Sequence, residues 1–281
     1  MSGTAADEGI AVQDIQADSG LRSPWVVFLL PFALFMVFTQ FEPKPPELNF
    51  DWAESGAVGE DGLSEAERLR EQDPAYQSYV RNYPLVYTTK VAVVTLAVLL
   101  VSPGYRTVPW RLTWLGPVVG LVGIVVWVAL CELNLEDKLL RPLGIALFSE
   151  AGQRSAFDPL HALRGNPVWA YGFLAIRFFG LAVLVPVMEE AFLRGFLMRY
   201  VVDERWWAVP FGTATRGAII AGTAFPMLMH PGELLAAFVW FSMVTWLMLR
   251  TKSLGDCVVA HGVTNLLLGF YVLQTGSWEL W

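Results

Sequence analysis

Glu189, Glu190 and Arg194 stand together at the end of an apolar run, in a chain whose hydrophobic stretches otherwise carry few charges. An ionised side chain at the centre of a membrane helix costs roughly 2.5–3.5 kcal/mol on insertion scales, so such groups persist where they have partners or chemistry. Glu190 and Arg194 are one helical turn apart and share a face on which they can pair, whereas Glu189 points about 100° away and is left for another task. His261 and Asn265 repeat that spacing, which sets an imidazole and an amide on one helical face. His230 lies between these pairs, directly before Pro231. A carboxylate can take a proton from water, a histidine can position that water or the carbonyl it attacks, and an amide can stabilise the oxyanion that develops. These are the parts required to hydrolyse an amide bond. A purely structural reading stands beside this one: the acids and the arginine form a buried cluster that fixes packing, and the histidines are hydrogen-bonding or helix-ending groups.

The elements that must position these residues are membrane helices. The chain has 281 residues, of which 55% are hydrophobic and only 16% charged, against about 25% charged in soluble domains; its mean hydropathy is +0.47. Apolar runs long enough for spans occur at 24–41, 84–103, 112–133, 168–200, 217–231, 234–250 and 256–274. The expectation is an all-α polytopic membrane bundle of about seven to eight transmembrane helices, the eighth being a short interfacial piece at 204–215. Pro186 lies inside the fourth run, where a missing backbone donor predicts a bend or break just before Glu189.

Short links rich in Lys and Arg favour the cytoplasm. Arg106 and Arg111 follow the second run and Arg250 and Lys252 follow the sixth, so both links are expected inside, with the N-terminus inside and the C-terminal SWELW outside. The organisation expected is a polar acidic tail at 1–23, then N-terminal membrane helices at 24–133 that include an acidic extramembrane loop at 42–83. A second loop at 134–167, a catalytic-type unit at 168–274 and a C-terminal tail at 275–281 complete it. In the loop at 42–83, ten acids face four bases, and Ser64 with Glu67 makes a capping box for a short surface helix. The apolar run at 24–41 lacks a small-residue cleavage pattern and reads as a retained anchor.

The net charge of −7 does not suggest a nucleic-acid partner. Cys131 and Cys257 read as core thiols without a disulfide framework. Trp25, Trp110, Trp114, Trp206 and Trp207 read as an aromatic belt, Lys90 as a snorkelling residue near a helix end, and Arg177 as a counter-ion or interhelical donor.

The residues at 189–194, EEAFLR, together with HGVTN at 261–265, resemble the CPBP intramembrane proteases, a family that includes CAAX prenyl proteases and bacteriocin-processing or immunity proteins. The first matches the pattern E-E-x-x-x-R, followed by the frequent glycine at Gly195. The second matches H-x-x-x-N. The middle pattern, F-x-x-x-H, is met only by His230: Pro226 stands four residues before it and Phe225 five, which leaves the packing role of the phenylalanine open. The resemblance covers roughly 168–274. It implies that Glu189 activates the attacking water with His230 helping to hold it, that His261 and Asn265 form the oxyanion site, and that Glu190 and Arg194 support them. It also implies a membrane-embedded endopeptidase acting on a membrane-associated protein or peptide, resident in the cell (inner) membrane.

No cofactor is certain from the pattern. One glutamate and two histidines with an open position form a known catalytic zinc set, so Glu189, His230 and His261 are the ligands zinc would take, although the helical H-E-x-x-H motif is absent. The resemblance implies glutamate dependence without an obligatory metal. Two other functions use the same residues: a catalytically inactive immunity or scaffold protein of this fold, and a proton-coupled transporter in which the acids act as a relay. The simple topology also contains a conflict. It sets Glu189 and His261 toward the cytoplasmic side and His230 at the far end of a helix about 20 Å long, so either the run breaks at Pro186 or residues 205–231 tilt or start deep.

Overall fold

The computed structural model describes residues 20–46, 65–133, 138 and 156–281. Among them every regular element is a helix and none is a strand. In chain order the main helices are α1 (Pro24–Thr39), α2 (Glu65–Gln72), α3 (Pro74–Val101), α4 (Leu115–Glu132), α5 (Pro167–Val202), α6 (Arg216–Leu228), α7 (Leu234–Thr251) and α8 (Leu254–Thr275). Five of them, α3, α4, α5, α7 and α8, are long and apolar enough to cross a membrane, and α1 is a shorter apolar helix of 16 residues. The protein is an all-α membrane bundle. At 204–215 the only helical piece is a single 3₁₀ turn, Trp206–Ala208. The acidic stretch 47–64, most of the loop before Ala156, the first 19 residues and the Ser64 capping box lie outside the described residues.

α3 starts ten residues before its apolar run. Asp73 caps it, its carboxylate accepting the amides of Ala75 at 2.6 Å and Tyr76 at 3.2 Å, and Pro74 occupies the first turn, where its missing N–H has no partner to lose. Tyr76, Tyr79, Tyr83 and Tyr87 then recur at helical spacing, and Phe157 and Phe173 pack edge-on or tilted against the last three. The early start corrects the reading of Lys90. It sits well inside the helix rather than at its end, is 3% exposed, ion-pairs with Glu42 and lies 4.3 Å from the centre of the Phe35 ring. Trp206 is also not part of a surface belt: it is fully buried beneath Arg199, against Phe28 and Phe196. Trp25, Trp110 and Trp114 are exposed.

Lipid tails are as apolar as the helices, so close packing and interhelical hydrogen bonds must hold a bundle together. α4 and α8 show both devices. Gly120 lets the helices approach so closely that a Cβ there would sit 2.7 Å from the Ala260 carbonyl oxygen, and the Thr264 hydroxyl donates to the Gly120 carbonyl at 2.9 Å. At the start of α8, buried Asp256 accepts both the amide and the hydroxyl of Thr113, at 2.6 and 2.9 Å. Arg177 is a buried donor to non-helical backbone rather than to another helix, bonding the main-chain oxygens of Phe157 at 2.7 Å and Trp281 at 2.5 Å. Cys131 and Cys257 are free thiols, the second fully buried. On the surface, Arg164 grips Glu71 of α2, and His161 lies 3.3 Å from the same carboxylate.

Candidate active site

α5 carries the first part of the site and does not break at Pro186. Instead it widens into π-helical turns at Gly180–Leu184 and Ala191–Leu197, which bracket the segment Val185–Glu190. The first turn has a specific consequence. The Val185 amide bonds to the Gly180 carbonyl rather than to Leu181, and in the same register the partner of the Leu181 carbonyl would be residue 186, a proline with no N–H. The Leu181 oxygen is therefore left to a side chain. Asn265 of α8 takes it, its Nδ2 donating at 2.8 Å.

One helical turn further, His261 of α8 lies between the two glutamates. Its Nδ1 is 3.0 Å from Glu190 Oε1, and its Nε2 is 4.0 Å from Glu189 Oε2. The carboxylates differ in surroundings: Glu190 is fully buried, while the Glu189 side chain keeps 16% of its surface exposed. Glu190 pairs with Arg194, Nε to Oε2 at 3.2 Å, and as a carboxylate it can only accept. That places a proton on His261 Nδ1 and leaves Nε2 facing Glu189. Arg194, also fully buried, completes its contacts on α7: Nη2 lies 3.4 Å from both the Phe241 carbonyl oxygen and the Thr245 hydroxyl, and its guanidinium sits 5.7 Å from the Phe241 ring centre.

His230 lies in the short link between α6 and α7. α6 has 13 residues, about 20 Å of rise, which falls short of a hydrocarbon core of about 30 Å. The link nevertheless packs back against α4 and α7, so the rise of α6 does not separate His230 from the other residues. The His230 Nδ1 is 2.8 Å from the Pro226 carbonyl oxygen, so that nitrogen carries a proton. Its ring lies 5.5 Å from Phe241 and 5.8 Å from Trp127, and Phe241 in turn lies 6.3 Å from the His261 ring. Phe225, one position out of the expected register, packs against Phe192 and Phe32.

The structure therefore unites Glu189, Glu190, Arg194 and His261 directly, brings His230 beside them through Phe241, and bonds Asn265 to the α5 backbone within the same stretch. Among the described residues, no group of three His, Cys, Asp or Glu side chains is arranged to hold a metal ion. Sequence reasoning overlooked Phe241 and Thr245. Their signal is faint: a lone hydroxyl one turn from an aromatic ring in an apolar run.

Residues 171–267 match the family model of type II CAAX prenyl endopeptidases, Rce1-like, consistent with the CPBP resemblance. The matched segment contains every residue of the site, from Leu181 to Asn265. This family points to a protease, and with the apolar helices it supports a CAAX-type role within the membrane. No curated protein and no solved structure matches the chain.

Proposed function

We propose that this CAAX-type, protease-like membrane protein is a glutamate-dependent endopeptidase that cleaves a membrane-associated protein or peptide. The observation that carries the reading is the unequal pair of carboxylates around one imidazole. Glu190, between Arg194 and His261, holds the histidine; Glu189, on the Nε2 side with part of its surface exposed, is the base in this reading. The 4.0 Å separation from Nε2 is too long for a direct hydrogen bond and suits two groups acting on one water.

In the proposed reaction Glu189 takes a proton from water as the oxygen attacks the scissile carbonyl carbon. His230 Nε2 helps to orient that water. The tetrahedral oxyanion is stabilised from the α8 side, where Asn265 Nδ2 carries two N–H groups and needs only one for Leu181. Glu189 then returns the proton to the departing amine as the C–N bond breaks, so the carboxylate is regenerated. No step is routed through a metal; comparing turnover before and after treatment with a chelator addresses a role for zinc. The proposal keeps 168–274 as the catalytic unit, a cell-membrane location and a cytoplasmic N-terminus.

The test uses the full chain in proteoliposomes with peptides ending in a CAAX sequence, farnesylated or not, and reads shortened products by mass spectrometry. Wild type is expected to yield them and Glu189→Ala to yield none at unchanged melting temperature. Cleavage that persists in Glu189→Ala sinks the glutamate mechanism. Absence of any product from wild type, in this assay and in a comparison of C-termini in membranes with and without the protein, moves the reading to a non-catalytic scaffold.

A further inference from the structure

The face of α7 that does not meet Arg194 forms, with α4, an open apolar groove of about 590 Å³. Phe238, Ser242 and Trp246 line it at four-residue spacing from α7, and Leu115, Val118 and Val122 line it from α4. Its volume falls within the range of small-molecule sites, about 300–1,000 Å³, and Ser242 supplies the one polar side chain in the lining.

One end of this groove is basic. Arg250 follows Trp246 by one turn of α7, and Arg111 precedes Leu115 at the start of α4; both are exposed. These two links are tied together, because the Leu254 amide donates to the Pro109 carbonyl at 2.9 Å and the Ser253 hydroxyl donates to the Arg111 carbonyl. Arg106 and Lys252 add exposed positive charge at the same end. The lone acid in the stretches 102–114 and 249–256 is Asp256, which is buried and bonded to Thr113. Trp110 and Trp114, 38% and 71% exposed, flank Arg111 with the amphipathic rings that favour headgroup depth.

An apolar trough that ends in guanidinium groups at headgroup depth is complementary to a molecule with an acyl chain and a phosphate. We infer that the groove between α4 and α7 binds an anionic phospholipid, its acyl chain along Val118, Val122, Phe238 and Trp246 and its phosphate on Arg111 and Arg250. Guanidinium forks match phosphate oxygens, and basic clusters between membrane helices select anionic headgroups. An isoprenoid chain would fill the trough and leave the basic rim unused. The lining contains none of the residues gathered around Glu189, so its test needs no proteolysis and stands apart from the catalytic reading.

The experiment is native mass spectrometry of the full chain, titrated in detergent with phosphatidylglycerol or with phosphatidylcholine of identical acyl chains. Tighter retention of phosphatidylglycerol is expected. Each basic residue near an anionic membrane surface contributes about fivefold, so the double variant Arg111→Gln/Arg250→Gln should lose about thirtyfold and fall to the phosphatidylcholine level. Ser242→Trp, which fills the trough, should reduce retention of both lipids at unchanged melting temperature. Equal retention of the two lipids by wild type overturns the inference. So does phosphatidylglycerol binding that ignores the Arg111/Arg250 substitutions, or its displacement by a farnesylated peptide, which would make the trough a berth for an isoprenoid.

Discussion

Asn265 donates to the main-chain oxygen of Leu181 at 2.8 Å, and it can do so because Pro186 offers that oxygen no N–H in the π-helical turn. A missing backbone donor in one helix is thereby converted into a fixed point for another. Gly262 belongs to the same arrangement: a Cβ there would stand 2.7 Å from the Ala182 carbonyl oxygen, so α8 can lie this close to the turn only without one.

Asn265→Ala leaves the Leu181 oxygen without its amide partner and should destabilise the protein by about 1–3 kcal/mol. Pro186→Ala restores a backbone donor. Combined, the two substitutions should be non-additive by at least about 0.5 kcal/mol, which denaturation of the singles and the double in detergent would read. Strict additivity would mean that the proline and the amide are not linked.

The two glutamates should respond in opposite ways. Glu189→Ala is expected to abolish cleavage and leave stability within about 0.5 kcal/mol, because Glu189 stands outside the Arg194 pair. Glu190→Ala strands a fully buried arginine and should cost about 3–5 kcal/mol. Thermal melting of both variants beside the cleavage assay separates the roles; a stable Glu190→Ala protein would contradict them.

Thr245→Val keeps the shape of the side chain and removes the hydroxyl that faces Arg194 at 3.4 Å. The long contact predicts a loss of about 1 kcal/mol in melting experiments. The cleavage rate should fall with it, through a looser Glu190–His261 contact. An unchanged rate in a destabilised variant would confine Thr245 to packing.

On the surface, the Arg164 guanidinium bonded to Glu71, with His161 beside it, holds that carboxyl below the usual carboxylate range. A folded-state value below the unfolded one means that the pair stabilises the fold above the ordinary carboxylate range, and that this contribution disappears as pH falls through the lowered value. Hydrogen exchange over 65–72 and 158–166 should therefore accelerate in acid. In Arg164→Ala the protection at neutral pH should already be reduced and its acid dependence flattened; an unaltered profile would show that the pair does not hold α2.

Much of this protein is legible in its sequence because the relevant rules are local. Low charge and long apolar runs dictate a membrane bundle of helices, and helical periodicity sets Glu190 on the face of Arg194 and His261 on the face of Asn265. The same periodicity could not show that α3 begins at Pro74, since the tyrosines that justify the extra turns find their partners in Phe157 and Phe173, about 75–95 residues away in the chain.

What the tertiary structure decided is which groups meet. Glu190 is the carboxylate that holds His261 Nδ1, Asn265 bonds to the Leu181 oxygen, and His230 approaches through Phe241 from the end of a short α6. Each depends on the depth and rotation of one helix against another. Those are set by close contacts such as Gly120 on Ala260 and Gly262 on Ala182, between segments that no periodic pattern relates.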